Sequence, residues 1–144
     1  MPEDAAARSR PSEKWAVADR PKNTNPAVFG VAGAALDLLE AAGDTAAKET
    51  AQALGERLRA VRREAHALVD EVPAGERLAD RLPVKTRAYD VLRAAPTAAI
   101  VAGGGRASGL GSPAQRPARE GLFPVVRRGQ TADVRSARLR ALRG

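Results

Sequence analysis

TAAKETAQALGERLRAVRREAHALVDEV, residues 45–72, decides how this chain folds. Ala47, Ala51, Leu54, Leu58, Val61, Ala65, Leu68 and Val72 follow one another at steps of 4, 3, 4, 3, 4, 3 and 4. Residues three and four apart share one side of an α-helix, so these positions form a heptad seam on a single long helix. Such a helix packs lengthwise against another helix. Leu54, Leu58, Val61, Leu68 and Val72 are therefore the expected helix–helix interface. The opposite side carries Glu56, Arg57, Arg59, Arg62, Arg63 and Glu64, a mixed-sign solvated face.

Upstream, Asn25-Pro26 is a helix start, with a capping side chain and then proline in the first turn. Val28, Val31, Ala35, Leu38 and Ala42 step by 3, 4, 3 and 4, and Phe29, Leu36 and Leu39 widen that face. Gly43-Asp44 closes this helix and caps the next one. The seam jumps by five from Ala42 to Ala47, so the heptad phase breaks here. A tight hairpin satisfies this pattern, and so does one long helix kinked at the glycine.

Downstream, Val72-Pro73 stops the long helix and Pro73-Ala74-Gly75 turns the chain. Leu78, Leu82, Lys85, Tyr89 and Leu92 step by 4, 3, 4 and 3, which predicts a third helix packing on the first two. Pro83 breaks it or sits in its first turn, and Pro96 kinks or ends it. The fold class is therefore all-α: two or three antiparallel amphipathic helices, as a helical hairpin or small bundle, with disordered N- and C-terminal arms. The expected divisions are a flexible arm at 1–25, a helical body at 26–102 and a Gly/Pro/Arg-rich basic tail at 103–144. Trp15, in the polar arm, is either a docking residue or an exposed indole.

Charge is unevenly placed. Residues 103–144 hold nine arginines against Glu120 and Asp133, an excess equal to the chain's whole formal charge of +7. Clustered arginine neutralises phosphate or sulfate groups and releases counterions, giving salt-sensitive binding to polyanions. The candidate polyanion-binding residues are Arg116, Arg119, Arg127, Arg128, Arg135, Arg138, Arg140 and Arg143. Phe123 is the tail's one aromatic residue, too little for base-specific single-strand recognition.

Catalytic chemistry finds no constellation. Cysteine is absent, which removes thiolate nucleophiles, thiolate metal sites and disulfides. His66 is the single histidine, with no second ligand at helical spacing, and reads as a helix-surface residue. Gly103, Gly105 and Ser108 miss the third glycine of a dinucleotide fingerprint, and no Gly-Lys-Ser/Thr is present. No cofactor, metal or small-molecule substrate is expected.

The body sequences AVFGVAGAALDLLEAAGD (27–44), ALGERLRAVRREAHALVDEVP (53–73) and LPVKTRAYDVL (82–92) resemble the alanine-rich helical surface proteins of actinobacteria, the heparin-binding haemagglutinin and phasin-like group. The resemblance implies an amphipathic helical body that coats lipid or polymer surfaces and a basic tail that holds polyanions. That family's tails are lysine-alanine repeats, whereas this one is rich in arginine, proline and glycine. The expected function is a non-catalytic helical interaction or coat protein. It self-associates through its heptad seams as a homo-oligomer, and its tail tethers it to anionic lipid, polysaccharide or a granule. The alternative is a small DNA-associated accessory protein that binds nucleic acid non-specifically. The first residues lack the apolar core of a secretory signal, and no run approaches the ~20 apolar residues of a membrane span. The expected place is the cytoplasm, at the periphery of a membrane or granule.

Overall fold

The computed structural model describes residues 23–73, 76–126 and 132–143, without the side chains of 123–126. Among these residues the regular structure is helical throughout: α1 (Ala27–Ala41), α2 (Thr45–Asp70), α3 (Leu78–Gly103), a 3₁₀ turn (Gly104–Ser108), α4 (Gln115–Val126) and α5 (Ala132–Leu142). The expected all-α class holds. The first three helices pack on one another, α4 lies on α1 and α3, and α5 lies on α3.

Capping chemistry sets the first corner. The Asn25 carboxamide accepts from the Ala27 N–H at 3.0 Å. At the other end of α1, Gly43 takes φ +87° and the Asp44 carboxylate accepts from the Ala47 N–H at 2.9 Å. A left-handed glycine followed at once by an extended N-cap reverses the chain, because a continuous helix accommodates neither. The break is therefore a hairpin, and the kinked long helix is excluded.

The α2 seam is used inside the chain. Ala47, Ala51, Leu54, Leu58, Val61, Ala65 and Leu68 are buried, and Val72 packs half-buried against the same core. The five interface residues named from the sequence thus face α1 and α3 of their own chain. On α1 the buried residues are Val28, Phe29, Ala32, Ala35, Leu36 and Leu39, while Val31 and Leu38 are half-buried and Ala42 is exposed. The core arc is centred on residues that the heptad reading had placed at its margin. A helix covered by three neighbours needs a wider apolar stripe than a two-helix seam supplies.

Helix α3 runs unbroken through both prolines. Pro96 lacks an N–H, so the Leu92 carbonyl loses its intrahelical donor. Helix α4 comes close at that point: a Cβ on Gly121 would stand 3.7 Å from the Leu92 oxygen and 3.5 Å from its Cδ1. The stripe predicted for α3 joins the core at Tyr89 and Leu92 and also meets the C-terminal helices. Arg138 of α5 lies over Tyr89, Gly121 meets Leu92, and Pro96 lines a groove shared with α4 and α5. The Tyr89–Leu92–Pro96 side therefore lies where the core meets the C-terminal helices. Its neighbouring arc, including Val84, Ala88, Val91 and Ala95, is buried in the core shared with α1 and α2.

The tail expected at 103–144 contributes two helices. Helix α4 buries Pro117 and Gly121, with Ala114 just before it, and Ala118 is half-buried. Pro117 falls in the first turn, where its missing N–H has no intrahelical partner to lose. Gln115 anchors that turn by donating from Nε2 to the Ala107 carbonyl at 2.7 Å. Helix α5 turns Val134, fully buried, and half-buried Ala137, Arg138 and Ala141 inward at steps of 3, 1 and 3.

Candidate functional site

The arginines proposed for polyanion binding fall into separate groups. Arg116 and Arg119 are exposed on α4, and Arg116 pairs with Glu120 at 2.7 Å. Arg135, Arg140 and Arg143 are exposed on or just after α5. Arg138 is turned inward, with its guanidinium 3.8 Å from the centre of the Tyr89 ring. Arg127 and Arg128 lie outside the described residues, as does Trp15. The structure thus brings Arg135, Arg140 and Arg143 together on one short helical segment and gives Arg138 a different task.

That task is visible beneath α5. Arg81, Lys85 and Tyr89 stand one turn apart on α3 and are all buried. Arg81 is 1% exposed; its Nη1 donates to the Asn23 carboxamide at 2.9 Å and its Nη2 to the Glu76 carbonyl at 3.4 Å. These bonds tie the stretch before α1 to the start of α3. Burial, together with the nearby Arg138 charge, lowers Lys85 to about 8. Burial raises the Tyr89 hydroxyl above its ordinary value, and Arg138 partly opposes this. Sequence reading missed the cluster because it did not single out Arg81, took Lys85 as a polar interruption of the α3 stripe, and placed Arg138 among the polyanion-binding arginines. The one available signal was Lys85 interrupting an otherwise apolar stripe.

An apolar groove lies between α3, α4 and α5. It encloses about 320 Å³. Leu92, Pro96, Ile100, Ala118 and Leu122 form much of its wall, and Thr86, Asp90, Arg93 and Arg138 supply its polar groups. Leu122, Leu139 and Leu142 are exposed at 65%, 49% and 57%, so the C-terminal helices present leucine as well as arginine to solvent.

Elsewhere the surface is structural. His66 is exposed on α2, with its ring edge-on to Phe29 at 6.0 Å. Arg87 of α3 grips the Glu64 carboxylate of α2 with both terminal nitrogens, at 3.0 Å for one contact. That hydrogen bond holds the Glu64 carboxyl below its ordinary value. Arg57, Arg59, Arg62 and Arg63 are exposed. Among the described residues no group of three or more His, Cys, Asp or Glu could hold a metal ion. No helix searched there is long and apolar enough to cross a membrane. No family model matches the chain, and neither a curated protein nor a solved structure matches it significantly.

Proposed function

We propose that this chain is a non-catalytic helical interaction protein whose C-terminal helices attach it to a polyanionic surface, specifically anionic lipid. One observation carries the reading. Helix α5 docks through Val134, Ala137, Arg138 and Ala141, and this leaves Arg135, Arg140 and Arg143 in solvent beside exposed Leu139 and Leu142. Arginine alone suits any polyanion. Arginine mixed with exposed leucine suits a headgroup layer with hydrocarbon beneath it. A docked helix also loses less conformational freedom on binding than an unstructured arm.

Co-sedimentation with vesicles tests the reading. Binding to phosphatidylglycerol-containing vesicles, falling as salt rises and absent from purely zwitterionic ones, is the expected result. Replacing Arg135, Arg140 and Arg143 by serine abolishes it. Equal binding to both vesicle types, or none at low salt, refutes the lipid reading. Salt-sensitive capture of duplex DNA without vesicle binding would transfer the site to nucleic acid.

Self-association, as a homo-oligomer, is part of the same proposal but uses a surface other than the α2 seam, which the chain fills from within. Sedimentation equilibrium across protein concentration measures it, and a monomer at all concentrations removes it.

A further inference from the structure

We infer that the groove between α3, α4 and α5 is a binding site for a single-chain anionic amphiphile, such as a fatty carboxylate. This ligand differs from the surface proposed above, and the sequence alone gave no sign of a small-molecule site. Three features carry the inference. The volume of about 320 Å³ lies at the lower end of the ~300–1,000 Å³ range of small-molecule sites. The groove is also elongated. Its α3 lining runs from Thr86 to Ile100, about 21 Å at 1.5 Å per residue, which favours a chain over a ring.

The third feature is polarity. Thr86, Asp90 and Arg138 gather near Tyr89, Arg93 follows one turn on, and the lining beyond runs through Pro96 and Thr97, whose hydroxyl is spent on the Arg93 carbonyl at 2.8 Å, to Ile100. Two guanidiniums face one carboxylate among the described lining residues, and Asp90 and Arg93 stand 4.0 Å apart. The Arg138 guanidinium carbon lies 3.8 Å above the Tyr89 ring centre, and Arg138 also hydrogen-bonds the Tyr89 hydroxyl, which fixes the guanidinium at this end of the groove. The N–H groups of a guanidinium lie in its plane, the geometry that engages a carboxylate in bidentate fashion. A cationic amphiphile would meet repulsion there, and a neutral chain would leave the charged end without a gain. The site therefore selects an apolar tail with an anionic head.

Calorimetric titration of the full chain with dodecanoate below its micellar concentration tests the inference. Saturable one-to-one binding is expected, with dodecyltrimethylammonium and butanoate at least tenfold weaker. Ile100→Trp fills the apolar end and should weaken dodecanoate at least tenfold while leaving vesicle co-sedimentation unchanged. Arg93→Gln, at an exposed position, should weaken dodecanoate and narrow its preference over dodecyltrimethylammonium. Circular dichroism verifies that each variant keeps its helices. Non-saturable or absent binding, equal affinity for the cationic amphiphile, or an unchanged affinity in a folded Ile100→Trp chain overturns the inference. The two readings share Leu142, but the vesicle test reads Arg135, Arg140 and Arg143, none of which lines the groove, so either reading can fail without the other.

Discussion

The α1–α2–α3 body and the α4–α5 cover are both helical, but different chemistry holds each in place. The body is closed by aliphatic side chains at regular spacing, with Leu54, Leu58, Val61 and Leu68 presented from one seam. The cover rests on a proline, a glycine, a valine and an arginine: Pro117 and Gly121 on α4, and Val134 and Arg138 on α5. Burial of large aliphatic groups gives the body most of its free energy. The cover gains less from burial and more from close backbone approach and one cation–π contact, so it is the weaker of the two layers.

A leucine deletion in the body gives the largest expected effect. Leu58→Ala should cost about 2–5 kcal/mol and unfold the whole chain cooperatively, as read from urea denaturation followed at 222 nm. Val134→Ala, in the cover, should cost about 1 kcal/mol and release α5 alone. Amide hydrogen exchange separates the two outcomes. Equal, global effects from both variants would erase the distinction between body and cover.

Lys85 gives the next effect, and its sign follows from proton binding. Its folded value of about 8 lies below the ordinary 10.5, so between these the unfolded chain binds more protons. Stability therefore rises with pH from about 8 toward 10.5, by about 3 kcal/mol at the limit. Raised Tyr89 acts in the opposite direction above about 10, where only the unfolded phenol would ionise, so the clean window is about 8–10. Denaturation midpoints across that window should climb in the natural chain and stay flat in Lys85→Met. A flat profile in the natural chain would show that Lys85 is not titrating in that window.

The junction between the layers is tighter than its glycines suggest. A Cβ on Gly103 would stand 2.6 Å from the Cβ of buried Ala107. Gly103→Ala should therefore cost about 1–3 kcal/mol by displacing the 3₁₀ turn, and adding Ala107→Gly should restore part of it. Additive losses in the double variant would place the strain elsewhere. Smallest is Arg138→Ala, which should cost about 1 kcal/mol through loss of the Tyr89 contact. It should also raise Lys85 toward its ordinary value, because a nearby positive charge is removed. A reduced pH dependence alongside a lower thermal midpoint is the combined readout.

The difference between the layers also explains what the sequence disclosed. The body was legible because leucine, valine and alanine at steps of three and four have one helical interpretation, and because Gly43-Asp44 is unambiguous capping chemistry. Helix α3 was legible as a helix but only in part of its buried arc. Its predicted stripe includes Tyr89 and Leu92, which join the core and also meet α5 and α4, but it left out Val84, Ala88 and Val91, which share that core. A helix buried on a broad arc carries more than one such stripe, and spacing alone does not rank them. The cover was read as a basic tail because Pro117, Gly121 and Arg138 are weak helix or burial signals by residue type. Each acquires its role from a neighbour distant in sequence: Gly121 from the Leu92 carbonyl, and Arg138 from the Tyr89 ring.

The Gly43–Asp44 corner has a consequence for synthesis. It joins two helices through local contacts, so α1 and α2 can close as soon as residue 70 has left the ribosome. Helix α4 docks on α1 across some eighty residues of chain, a closure that must wait for about forty-five further residues at ~5–20 per second. For several seconds the nascent chain thus displays Val31 and Leu38, side chains that α4 later shelters, beside whatever chaperones stand at the exit tunnel. Stalled chains ending near residue 112 should cross-link to those chaperones through position 38, and chains carrying α4 beyond the tunnel should not.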